Sequence, residues 1–190
     1  MANRSRAPLH LPHHISTQKD DAMACPNKLV LATVLGGAAV ACQALFYTAR
    51  NEGEALTPFN DGLAGMVATV CYGDTGAPMR RYTHAECLAL LDTRLAEYAR
   101  EVRRLTHGFD TLAPGQKIAV VDHAYNVGLA RYKTSRLRRM YADGDFPAAC
   151  DEYLHWKFIE GGRTDCSRRA TYCGGIYTRR LAARAACKGE

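Results

Sequence analysis

Several common signatures are missing from these 190 residues. There is no Cys-x-x-Cys, no zinc-finger spacing, no RNP signature and no glycine loop of the kind that cradles phosphate. Three of the seven histidines, His10, His13 and His14, cluster near the N-terminus, away from the cysteines, and with no Cys-x-x-Cys this argues against a zinc site. The basic residues are scattered, so a formal charge of +6 does not by itself point to nucleic acid. No internal repeat is visible. Tryptophan occurs once, at Trp156, and is read as core. Charge is absent from residues 29–49, and no Lys or Arg occurs between Arg50 and Arg80.

That uncharged stretch, LVLATVLGGAAVACQALFYTA, spans roughly 30 Å as a helix, the thickness of a bilayer core. Alanines, Gly36, Gly37, two threonines and Gln43 dilute its few large side chains. Arg4, Arg6, Lys19 and Lys28 precede it, so the positive-inside rule keeps the N-terminus inside and sends the remainder across. Residues 1–28 are polar, contain His10, His13, His14, Pro8 and Pro12, and read as a disordered cytoplasmic tail in which Met23 is an alternative start. The apolar stretch has three possible fates. These are signal-peptide cleavage after Ala39-Val40-Ala41, lipidation at Cys42, or export uncleaved with later release from the membrane.

Residues 50–190 read as one domain with a core of its own. Glu52 is expected at the start of a helix; Asp61 follows nine residues on, and Thr69 eight after that. Two acids and a hydroxyl beside a tight hairpin suit glycoside hydrolysis. One carboxylic acid protonates the leaving oxygen, while a carboxylate and a hydroxyl orient water on the other face of the sugar. Thr83-His-Ala-Glu86 is a capping box that opens a long helix with Leu88, Leu91, Leu95, Tyr98, Val102 and Leu105 on one stripe. Pro114 opens the next helix, which stops at Asn126-Val127-Gly128. Shorter helices are expected near Arg136–Tyr141 and Ala148–Trp156, with a final one over Ile176–Cys187.

Eight cysteines suggest an oxidising compartment. Element positions suggest pairing Cys71 in the hairpin with Cys87 on the next helix, Cys150 with Cys187, and Cys166 with Cys173. Cys25 and Cys42 then remain outside the enzyme body. Cys42 is open between a thiol that attacks a disulfide such as one at Cys71 after release and a small apolar residue.

Asn51-Glu-Gly, Asp61 and Thr69-Val-Cys-Tyr-Gly-Asp-Thr-Gly76 resemble the active-site signature of phage-type lysozymes, glycoside hydrolase family 24. The resemblance continues through Asp122-His-Ala-Tyr-Asn-Val-Gly128, Thr134-Ser135, Trp156 and Gly174-Gly-Ile-Tyr-Thr-Arg-Arg180. The gap from Asp61 to Thr69 is two residues longer than the family usually has, and Asp74 stands where many relatives carry histidine. The apolar run is similar to the signal-arrest-release segments of certain phage endolysins.

The resemblance implies an α+β, mainly α fold: a small β-hairpin lobe, a helical lobe and an N-terminal transmembrane helix. It also implies cleavage of the β-1,4 bond between N-acetylmuramic acid and N-acetylglucosamine in peptidoglycan, with Glu52, Asp61 and Thr69 catalytic and no cofactor or metal. Tyr72, Asn126, Gly128 and Tyr132 are then candidates for substrate contact. For Asn126 and Gly128 the alternative is a helix cap, and for Tyr132 it is packing. The implied setting is a monomer held in the host inner membrane through residues 29–49 and then released to the periplasm. A lytic transglycosylase and a non-enzymatic, membrane-anchored envelope binder are the alternatives.

Overall fold

The computed structural model describes residues 25–26, 29–61, 67–168 and 171–190, with Asp61 described by its backbone alone. The tail histidines and Met23 lie outside the described residues.

The apolar run does not form one rod. Gly36 takes φ +87° and Gly37 φ +156°, conformations that need a residue without Cβ and that break the helix. Two helices result, α1 (Ala32–Leu35) and α2 (Ala38–Glu52). Leu31, Val34 and Leu35 from the first piece, and Ala41, Ala44 and Leu45 from the second, are buried in the protein core. Among the described residues no helix is long and apolar enough to cross a membrane. Glu52 also sits differently from the expectation: it closes α2, and Gly53 at φ +73° ends the helix.

A hairpin follows, β1 (Ala55–Asp61) against β2 (Val67–Cys71), with Phe59 opposite Thr69 and Asp61 opposite Val67. The register shifts between Ala55 and Phe59. Helix α3 (His84–Leu105) begins at the anticipated capping box, with the Glu86 carboxylate accepting from the Thr83 amide at 2.7 Å. It buries Leu88, Leu91, Leu95 and Val102.

Helix α4 (Pro114–Val127) is the central strut, packed against α2, α3 and α8 (Gly174–Lys188). Gly115 allows the α4–α8 approach, because a Cβ there would collide with the Ala186 carbonyl. Helices α5 (Leu129–Thr134), α6 (Arg136–Ala142) and α7 (Phe146–Glu152) complete the helical lobe. A two-residue ribbon, β3 (Phe158–Ile159) with β4 (Thr164–Asp165), precedes α8. The fold is thus mainly helical with small hairpins.

The disulfides Cys71–Cys87, Cys150–Cys187 and Cys166–Cys173 join the anticipated partners. The remaining pair corrects the sequence reading: Cys25 and Cys42 are bonded to each other, and Cys42 packs against the core rather than lying outside the body.

Asp92 of α3 ties down the start of the apolar segment. Its carboxylate accepts from the Val30 amide at 2.7 Å and the Leu31 amide at 3.0 Å. Asp92→Ala leaves a buried amide unpaired, so it should lower the unfolding free energy by about 1–3 kcal/mol in urea denaturation.

Candidate functional site

A cleft of about 510 Å³ opens between the hairpin lobe and the ends of α2 and α4, and Glu52, Thr69, Asp74, Tyr98, Tyr125 and Asn126 line it. Glu52 projects from the C-terminal end of α2 with 18% of its side chain exposed. The Arg179 Nη1 donates to Glu52 Oε1 at 2.6 Å. The same guanidinium grips the buried Asp122 twice, Nη2 to Oδ1 at 2.8 Å and Nε to Oδ2 at 3.2 Å. One arginine therefore fastens α2, α4 and α8 at a single point.

Burial pushes the Glu52 carboxyl above the ordinary glutamate value, and the neighbouring Asp122 charge adds to this. Arg179 and an amide hydrogen bond from Asn126 act in the opposite sense and do not outweigh burial. The helix end contributes too, because the last carbonyls of α2 present partial negative charge that disfavours an anion there.

Asn126 is oriented by Arg180, whose Nη2 donates to Asn126 Oδ1 at 2.7 Å and whose Nε donates to the Trp156 carbonyl at 2.9 Å. With its oxygen engaged, Asn126 turns its amide nitrogen to Glu52. Burial and the adjacent Arg179 lower Arg180 to about 10.

The opposite wall is shaped by Asp74. One carboxylate oxygen accepts from the Gly76 and Ala77 amides at 2.7 Å each, and the other from Arg94 Nε at 2.6 Å. Asp74 thereby forms an ion pair with Arg94. Tyr98 and Tyr125 form an aromatic wall with ring centroids 5.1 Å apart. The Tyr125 hydroxyl donates to the Tyr72 carbonyl at 2.9 Å and so ties the wall to the hairpin.

Of the residues singled out from sequence, the fold brings Glu52, Thr69 and Asn126 to one cleft. Thr69 is buried, and its hydroxyl donates to the Val67 carbonyl at 3.0 Å. Asp61 lies two positions beyond Thr69 toward the hairpin tip by its pairing with Val67; its side chain is outside the described residues. The other three substrate-contact candidates are not among the residues that line this cleft. Tyr132 is fully buried in the core with its hydroxyl against Thr106. Tyr72 is buried and donates its hydroxyl to the Glu54 carboxylate at 3.0 Å. Gly128 ends α4 at φ +89° and does not line the cleft. Sequence reasoning missed Arg179 and Asp122 as partners of Glu52, because the pairing spans 127 residues and has no local spacing signal.

The "Phage lysozyme" family model matches residues 49–182. The chain is 39% identical over 112 residues to the "SAR-endolysin" of Escherichia phage Mu, covering 58% of this chain and 63% of that protein. It is 33% identical to the "SAR-endolysin" of Bacteriophage PS119, over 83% of this chain and 91% of the relative. Its fold is similar to the muramidase domain of SpmX from Asticaccaulis excentricus, with TM-score 0.65 and 22% identity over 76% of this chain and 93% of that one.

Asp122→Asn tests the electrostatics. Removing the negative charge beside Glu52, and leaving Arg179 with one carboxylate, favours ionised Glu52. The Glu52 titration midpoint, followed by carboxyl-carbon NMR, should therefore move to lower pH.

Proposed function

The chain belongs to the phage lysozyme family, and on that premise we propose that it is an endolysin hydrolysing the β-1,4 bond between N-acetylmuramic acid and N-acetylglucosamine. The observation that carries this reading is Glu52: a partly buried carboxyl, raised in pKa, at the edge of an open cleft that also holds Thr69. A carboxyl whose pKa is raised holds its proton to higher pH and can protonate the leaving glycosidic oxygen. Thr69 and Asp61 then position the attacking water or stabilise the oxocarbenium ion that develops at the sugar. Asn126 and the Arg179–Asp122 pair hold Glu52 in place. The Tyr98–Tyr125 wall offers an apolar face for a sugar ring.

The membrane reading rests on α2. Residues 38–49 are the second half of the uncharged run, and they share a helix with Glu52. In the folded body Ala41, Ala44, Leu45, Thr48 and Ala49 are buried against protein. Residues 29–49 therefore have two homes, lipid and core, and cannot occupy both. In this scheme residues 1–28 form the cytoplasmic tail, 29–49 the signal-arrest-release segment and 50–190 the catalytic domain. The tethered chain is inactive because α2 cannot deliver Glu52 to the cleft; release to the periplasm as a monomer completes it.

Glu52→Gln should lower wall lysis by about 10²–10⁴-fold, the worth of a general acid, while the far-UV spectrum stays unchanged; a fully active variant overturns the assignment. Mass spectrometry of released muropeptides should find reducing ends, where anhydro-sugars would indicate a transglycosylase. Tethered protein should lyse walls far more slowly than freed protein, and equal rates would refute tethered inactivity.

A further inference from the structure

Among the described residues that line the cleft, Arg94 is the only cation. It stands one helical turn before Tyr98 on α3, so its guanidinium and the Tyr98–Tyr125 wall share a face. Its Nε donates to the buried Asp74 carboxylate at 2.6 Å and its Nη1 to Glu97 at 3.1 Å. These two contacts fix the plane of the fork. Nη2 makes no hydrogen bond among the described residues. It lies against Gly76, where a Cβ would come within 3.1 Å of it. Glycine leaves the guanidinium its room there, and 32% of the Arg94 side chain stays exposed.

Charge decides what this nitrogen can hold. Asp74 and Glu97 set two negative charges against the single positive charge of Arg94. An incoming carboxylate would meet that surplus, with Glu97 itself lining the cleft. A neutral acceptor gains the charge-assisted hydrogen bond without the repulsion. On an N-acetylated sugar the strongest neutral acceptor is the amide carbonyl oxygen, and the ring of such a sugar has the tyrosine wall to rest on.

We propose that Arg94 Nη2 donates to the acetamido carbonyl of the sugar seated against Tyr98 and Tyr125, which makes Arg94 a specificity-determining residue for N-acetylated glycan. The proposal rests on the glycosidase reading of the cleft and adds the group that selects the sugar. Asp74 and Glu97 are positioning residues: they hold the guanidinium by its other two nitrogens, so that its remaining edge meets substrate. Lysine cannot stand in, because an ammonium is a point charge with no planar edge to share between Asp74 and a ligand.

The test compares the full-length protein with Arg94→Met and Arg94→Lys on isolated walls and on the same walls after chemical de-N-acetylation. Walls re-acetylated afterwards control for damage. Release of reducing ends gives kcat/KM for each. Wild type should prefer acetylated walls by about 10–100-fold, the worth of one hydrogen bond to a charged donor. In both variants that ratio should shrink toward one because activity on acetylated walls falls, mainly through KM. Arg94→Lys keeps a cation opposite Asp74 and so separates loss of the fork from loosening of the turn after Gly73. Equal losses on both kinds of wall would mean a purely structural role and overturn the proposal. Undiminished activity of both variants on acetylated walls overturns it too, as does wild type that cuts both walls equally; these three results leave the glycosidase reading standing. Wild type that releases no reducing ends from either wall ends that reading and the proposal together.

Discussion

One buried guanidinium sets the terms for the site. Arg179 faces two carboxyl groups, and one positive charge can neutralise only one of them. Asp122 holds it by two hydrogen bonds and Glu52 by one. Glu52 is also at the helix end that repels an anion and beside the open cleft. Burial therefore favours the protonated form of Glu52, the group beside the open cleft. The same arrangement that fastens α2, α4 and α8 together holds this carboxyl at the cleft.

Because Glu52 is the final residue of α2, its position depends on everything that seats that helix. The seating is mostly apolar: Ala41, Ala44 and Leu45 on the core side, with small side chains allowing close packing. The composition that makes residues 29–49 a poor membrane helix makes them a good core segment. Alanine and glycine bury little area each, so neither lipid nor protein holds the run strongly. The polar fastenings at Asp92 and Lys117 add to the hold of the body on this segment.

The hairpin lobe follows a related economy. Cys71–Cys87 pins β2 to α3, and the Tyr125 hydroxyl reaches the Tyr72 carbonyl from α4. Asp74 uses both oxygens to shape the turn after Gly73 and to engage Arg94. The two lobes are thereby tied on both sides of the cleft, and the distance from Glu52 to the hairpin is set by covalent and polar links rather than by loop length.

Local signals in the chain were enough for the capping box at Thr83, the apolar stripe of α3, the proline start of α4, the hairpin and three disulfide pairs. Each depends on neighbours within a helical turn or on the order of elements. The motif around Asn51–Gly76 likewise marked Glu52 and Thr69. What lay beyond reach was every fact that depends on which faces meet: Arg179 between Glu52 and Asp122, Tyr132 in the core, Tyr72 turned toward Glu54, and Cys25 against Cys42. The run over residues 29–49 shows the reason most plainly. Its sequence states that it is uncharged and weakly apolar, which suits lipid and protein interior alike. Only the tertiary contacts, through the bend at Gly36–Gly37 and the amides captured by Asp92, decide that in this state it belongs to the core.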